Sequence, residues 1–308
     1  MRVIFCGNPE FAVPTLNALL SSRHEVLAVV CSPDKARGRG RKVLALPVKE
    51  RATEAGVSVL QPESLKDPEF LEKIRDLRPD CLVVIAFRIL PRELFALPQL
   101  GSFNVHPSLL PRGRGPAPIR WTLLRGESET GVTIIHLSET IDGGDILLQE
   151  KTPVAQDEDY GALHERLSRM GARMLVSVLD EYEEGNPPKP MVQDESEVTK
   201  APKLFAKDFD LDWSLPAGEI RNRIRALSPD PGASTLWAGK RMKILRAEQI
   251  SQDGLASGEL VKGDGGSVVV GTGQGCLKLE VVQPEGKRAM TAAEFLRGRP
   301  PIPARLGE

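Results

Sequence analysis

Apolar residues in the first hundred positions fall into two alternating kinds of run. Residues 3–5, 26–31 and 81–86 are short, continuous and rich in β-branched side chains. Residues 11–20, 44–55 and 68–77 instead show helical spacing or helix-forming composition. Continuous apolar strands need cover on both faces, so the alternation predicts an open, mostly parallel α/β sheet. Residues 91–97 predict a further short helix, and residues 103–105 a buried strand that ends in a polar pair. Residues 133–137 and 146–149 flank a glycine-containing bend, the pattern of a long-loop hairpin at one edge of the sheet. From 160 to 182, leucine and methionine recur at helical spacing and predict a long helix closing the unit.

The pattern changes at Glu184. The stretch EEGNPPKPMVQDESEVTKAP is polar and proline-rich, as a linker or an extended surface crossing is. Beyond it, residues 216–227 predict a helix. Short apolar runs at 234–236, 242–245, 267–270 and 277–282 are separated by Gly/Asp clusters and predict a small β-barrel or sandwich. A chain of 308 residues accommodates two such domains.

Charge modifies this picture only locally. The 41 Lys and Arg nearly cancel the 42 Asp and Glu, which excludes a strongly cationic coat. From residue 200 onward there are 17 basic against 13 acidic residues, so the second half is mildly positive and the first mildly negative. Five basic residues, Lys35, Arg37, Arg39, Arg41 and Lys42, crowd into eight positions around two glycines. Alternating Arg-Gly holds regular structure poorly, so this segment reads either as a phosphate-contacting loop or as a solvated surface loop. The four cysteines are far apart, three of them in apolar, strand-like runs, with neither a disulfide framework nor a zinc signature. A reducing cytoplasm is therefore the expected location. No 18-residue uncharged run predicts a membrane span, and four histidines in total argue against a multi-histidine metal centre.

The densest chemistry lies in FNVHPSLLPRGRGPAPIRW, residues 103–121. Asn104 and His106 are two apart at a predicted strand end and so share a face. Open α/β sheets bind ligands at that end. An imidazole can relay a proton near neutrality, and an asparagine amide can donate to an oxygen as charge develops on it. A histidine there is equally read as structural. A carboxylate partner is available in SETIDGGDILLQ, where Asp142 sits at the bend and Asp145 is its rival; spacing does not choose between them. His24, His136 and His164 read as ordinary structural residues. The first turn, around Gly7, has one glycine where a dinucleotide fingerprint needs three. Ser108 lacks the elbow that a nucleophilic serine requires.

These pieces together resemble the methionyl-tRNA formyltransferase family, a branch of the folate-dependent formyltransferases. The matching segments are GNPEFAVP (7–14), SPDKARGRGRK (32–42), NVHPSLLPRGRGPAPI (104–119), ETGVTI (129–134), IDGGDIL (141–147) and DLDWS (210–214). The resemblance implies an open Rossmann-like sheet with a C-terminal OB-like β-barrel. It divides the chain into a catalytic domain at 1–188, a linker at 189–204 and a tRNA-binding domain at 205–308. It implies formyl transfer from 10-formyltetrahydrofolate to the amino group of Met on initiator tRNA, with no metal. Carried over residue by residue, Asn104, His106 and Asp142 match the family's catalytic trio.

The same resemblance implies a folate pocket from the stretch AFRILP (86–91) and the loops near Asp142. Its residues are Phe87, Arg88, Leu90, Ser108, Leu109, Leu110, Pro111, Ile141 and Gly143. Arg88 departs from the glycine common in the family, with three readings open: contact with substrate phosphate, contact with the folate tail, or an outward orientation. The tRNA is expected to meet the basic loop (Lys35, Arg37, Arg39, Arg41, Lys42) and a second-domain surface. That surface draws on Arg221, Arg225, Lys240 and Lys243, with Arg221 and Arg225 sharing a helix face. The expected partner is RNA, with no DNA or membrane, and the chain is expected to act as a monomer. The competing reading is a sugar-nucleotide N-formyltransferase, which the five-charge Arg-Gly loop argues against.

Overall fold

The computed structural model describes residues 1–34, 36–37, 42–43, 45–252, 254–263 and 266–307. It comprises two compact units, one of Met1–Pro118, Glu129–Pro153 and His164–Pro202, the other of Ile119–Ser128, Val154–Leu163 and Lys203–Glu308.

In chain order the first unit begins with β1 (Arg2–Gly7), α1 (Val13–Leu20), β2 (Glu25–Val30), β3 (Ala36–Arg37) and β4 (Lys42–Val43). It continues with α2 (Pro47–Glu54), β5 (Val59–Leu60), α3 (Pro68–Asp76), β6 (Cys81–Ile85), α4 (Arg92–Phe95) and β7 (Ser102–His106). After α5 (Pro118–Leu124), which from Ile119 belongs to the second unit, come β8 (Glu129–His136), β9 (Ile146–Pro153) and α6 (Tyr160–Glu183), the last joining the first unit from His164. The seven-stranded sheet has the order β5-β2-β1-β6-β7-β8-β9. Its first five strands pair in parallel, and β8 and β9 form an antiparallel hairpin at one edge. β6 is buried at all five positions, which is why its sequence is an unbroken apolar run rather than an alternation.

Helix starts follow local chemistry. The segment expected to be helical from residue 11 opens as a 3-10 turn, Glu10–Ala12, before α1 begins. The helix expected from residue 44 begins at Pro47, whose missing N–H costs nothing in a first turn. α3 is capped by Asp67, whose side chain accepts from the Glu69 N–H. One core cluster joins Ile4, Val30, Leu82 and Val84 of the strands to Phe70, Ile74 and Leu94 of the helices. All four cysteines are buried. Burial pushes the Cys6 and Cys81 thiols up to about 12, which makes them inert packing groups.

His136, at the end of β8, stacks against Phe103 and contacts the Tyr182 hydroxyl through Nε2 at 2.8 Å. Burial lowers its pKa, partly offset by Asp145. Its folded pKa thus lies below the unfolded value of about 6.5. Below pH 6.5 the unfolded chain takes up a proton that the folded chain resists, so this stabilisation is complete above pH 6.5 and lost on acidification. Melting curves between pH 7.5 and 5 are expected to show Tm falling below pH 6.5, and His136→Gln to flatten that fall. An unchanged slope in the variant would exclude His136 as its source.

The second unit contains α7 (Ala217–Leu227), β10 (Ala233–Trp237), β11 (Lys240–Ile250), β12 (Leu260–Lys262), β13 (Val268–Gly271), β14 (Cys276–Pro284), β15 (Met290–Thr291) and α8 (Ala292–Arg297). Its antiparallel sheet runs β10-β11-β14-β13-β12, with β15 added to β14. Register shifts near Arg246 interrupt the long β11–β14 pairing, the feature that lets a long strand bend around a small core. Trp213, Ile220, Ile224, Ile244, Leu277 and Leu279 fill that core. Among the described residues, no helix is long and apolar enough to cross a membrane.

Candidate active site

β7 alternates as a strand must: Phe103 and Val105 are buried on one face, and Asn104 and His106 take the other. Asn104 pairs with Val84 of β6, and His106 with Thr133 of β8, so both sit where the parallel sheet ends and the hairpin begins. His106 is 5% exposed. Its Nε2 lies 3.0 Å from the Gly113 carbonyl, an oxygen that only accepts, so this nitrogen carries the hydrogen. The half-buried Asn104 amide makes no hydrogen bond to any described residue. Its N–H groups are therefore unspent.

The loop after His106 is pinned at several points. Thr133 Oγ1 donates to the Ser108 carbonyl at 2.7 Å and accepts from the Leu110 N–H. Gln149 Nε2 donates to the Leu110 carbonyl and to Thr133 Oγ1, both at 2.9 Å. Ser108 Oγ donates to the Arg112 carbonyl at 2.6 Å, so this buried hydroxyl closes its own loop.

Asp142 reaches the histidine from the bend between β8 and β9. Its Oδ1 lies 3.6 Å from His106 Nδ1, and its Oδ2 accepts from the Gly115 N–H at 2.8 Å. Asp142 has a φ of +54°, a conformation that aspartate tolerates better than most residues. Two residues on, a Cβ at Gly144 would fall 1.8 Å from the His136 carbonyl, so only glycine allows the bend to close. Asp145 is occupied differently, its carbonyl accepting from the His136 N–H. The site thus combines a free amide, an imidazole and a carboxylate. Such a set can stabilise an oxyanion and move a proton.

The residues named for the folate pocket divide. Leu90 and Leu110 are packed into core clusters, and Phe87 packs against one of them. Ile141 is exposed at 57%, and so is Ile89 at 75%, which lies in the AFRILP stretch but is not among the residues named from it. Leu109, Pro111 and Gly143 are half-buried. Arg88 donates to the Pro62 and Glu63 carbonyls at 2.9 and 3.0 Å and lies over the Phe87 ring. Its guanidinium therefore braces the neighbouring loop.

The cationic residues divide as well. Ala36–Arg37 and Lys42–Val43 pair antiparallel, while Lys35, Arg39 and Arg41 lie outside the described residues. Just before this hairpin, Asp34 accepts from Lys49 and Gln61, which hold its carboxyl below the usual range. Arg221 and Arg225 share a face of α7, but that face turns to residues 155–158 of the same unit. Arg221 pairs with Asp157 at 2.5 Å, and Arg225 donates to the Glu158 carbonyl at 3.0 Å. Burial pulls the Arg225 guanidinium below its ordinary value. Both are committed to internal acceptors. Lys240 is exposed and Lys243 half-buried, with no ion pair to a described residue. Arg112 and Arg114 pair with Glu197 and Glu195.

Comparison with known proteins assigns the class. Residues 1–179 match the model of the formyl transferase family, and residues 203–300 that of the formyl transferase C-terminal domain. The chain is 44% identical over 308 residues to the methionyl-tRNA formyltransferase of Moorella thermoacetica, covering 99% of both chains. It is 45% identical over 300 residues to that of Syntrophus aciditrophicus, covering 97% of this chain and 96% of the relative. The chain belongs to the methionyl-tRNA formyltransferase family. The fold is shared more widely. An N-formyltransferase from Helicobacter canadensis, solved with folinic acid and dTDP-3-aminofucose, superposes with a TM-score of 0.68 at 18% identity, over 92% of this chain and 98% of its own.

Proposed function

We propose that this chain transfers the formyl group of 10-formyltetrahydrofolate to the α-amino group of methionine on initiator tRNA. The observation that carries this reading is the convergence of Asn104, His106 and Asp142 in a chain nearly half identical, end to end, to methionyl-tRNA formyltransferases.

The neutral amine attacks the formyl carbon, and the carbonyl oxygen takes up negative charge in a tetrahedral intermediate. The unspent Asn104 amide donates to that oxygen, and protonated His106 adds a charged donor as Nε2 exchanges the Gly113 carbonyl for it. Asp142 accepts the proton that the amine sheds. The same proton returns to N10 of the folate as its bond to carbon breaks, so the reaction is proton-neutral overall. Asp142 is also the anion that holds imidazolium in place. The folate ring system is read against residues 87–90, 108–111, Ile141 and Gly143. Here Ile89 and Ile141 offer exposed apolar side chains, and Leu90 and Leu110 offer main chain only.

The acceptor RNA is read against the basic loop and the second unit. With Arg221 and Arg225 engaged internally, Lys240 and Lys243 are left, of the four second-unit cations named, to meet phosphate. Neutralising Arg39 and Arg41 together is expected to weaken tRNA binding and flatten its dependence on salt, because each lost phosphate contact reduces the slope. Folate binding is expected to persist. An unchanged salt slope in the double variant would remove the loop from the RNA interface. The sugar-nucleotide reading predicts no such dependence on the loop.

A further inference from the structure

Residues 189–204 read as linker in the sequence, yet the structure makes Met191–Ala201 part of the first unit and hydrogen-bonds it to the loops that carry the site. Met191 and Ile146 exchange main-chain hydrogen bonds of 2.9 and 2.8 Å at the start of β9. Further along, the Arg114 N–H donates to the Thr199 carbonyl, and the Ala201 N–H donates to the Arg114 carbonyl. Thr199 Oγ1 accepts from the Gly113 N–H at 2.9 Å. Gly113 is the residue whose carbonyl holds His106, and Gly115 is the residue whose N–H holds Asp142.

Gln193 occupies the middle of this strap and is 6% exposed. Its Nε2 donates to the carbonyls of Asp142 and Gly144, at 2.8 and 2.7 Å. Its Oε1 accepts from Nε and Nη2 of Arg114, at 3.1 and 2.8 Å. One amide thus spends both hydrogens and both lone pairs, with the oxygen and nitrogen told apart by their partners. Arg114 is buried in turn and reaches Glu195 of the same strap at 2.8 Å. The left-handed φ of Asp142 needs its surroundings to hold it, and the carbonyl of that same residue is what Gln193 grips.

We propose that Gln193 is a positioning residue for formyl transfer: it fixes the main chain of Asp142 and thereby aims the carboxylate at His106, while Arg114 fixes Gln193. This rests on the proposed role of Asp142. Gln193 itself touches neither folate nor amine. Its contribution is to keep the Asp142–His106 separation from drifting, and a displacement of about 1 Å at reacting groups can cost about 100-fold in rate.

Gln193→Glu separates this role from a merely structural one. The carboxylate still accepts from Arg114, but it has no hydrogen for the two carbonyls and repels them. We expect kcat to fall by about 100-fold with KM for the folate within about threefold, in a protein whose melting transition remains cooperative. Adding Gln193→Glu to Asp142→Asn is expected to cost less than about twofold more, because the carboxylate it aims is already gone. Equal losses in the two backgrounds, or an unchanged kcat in folded Gln193→Glu, would overturn the proposal. Should Gln193→Glu fail to fold, the near-isosteric Gln193→Met is run through the same cycle, and the same two results would overturn the proposal. An Asp142→Asn variant of full activity would instead strike at the Asp142 reading itself. A slow Asp142→Asn with additive losses strikes at Gln193 alone.

Discussion

Replacing His106 with alanine is expected to lower the rate of formyl transfer by about 10²–10⁴-fold, the usual worth of a positioned acid–base group. The imidazole meets both its loop and its carboxylate, with Gly113 O at one nitrogen and Asp142 at the other. On the proposed reading, its removal takes away the charged donor to the developing oxyanion and leaves Asp142 without the imidazole that it faces. Affinity for tRNA is expected to stay within about twofold, because RNA affinity comes mainly from phosphate contacts, and His106 is too buried to make one. Single-turnover formylation with saturating folate reads the chemical step directly. Turnover within twofold of the parent would remove His106 from the chemistry.

Asn104→Ala is expected to lower kcat by about 10²–10³-fold, the cost of deleting one oxyanion donor. The change should be nearly silent in stability, since the amide has no hydrogen-bond partner among the described residues to lose. That combination distinguishes a group kept for catalysis from one kept for packing. Asn104→Asp should be as slow or slower, because a carboxylate of the same shape only accepts and opposes the developing charge. A variant that loses stability but keeps its rate would reverse the assignment.

Much of this was legible in the chain. Strands such as Cys81–Ile85 are readable because a sheet covered on both faces demands continuous apolar residues. The shared face of Asn104 and His106 follows from the period of a strand alone. Asp142 could not be separated from Asp145 by spacing; that needed the fold of the bend, which turns one carboxylate to His106 and spends the other residue's carbonyl on His136. Gln193 was illegible for a different reason. It lies 51 residues from Asp142 in a polar stretch without periodicity, and only the folded path of the strap brings them together. Arg221 and Arg225 show the converse. In sequence an arginine that binds RNA and one that staples a helix to its neighbour look alike, and the structure spends both on residues 155–158.

The most direct test of the central claim follows the formyl group itself. The protein is incubated with 10-formyltetrahydrofolate labelled in the formyl carbon and offered, in parallel, methionyl initiator tRNA and a nucleotide-linked amino sugar. Label is predicted on the methionine of the tRNA, dependent on His106 and Asn104. Label on the sugar alone, with the tRNA unformylated, would contradict it.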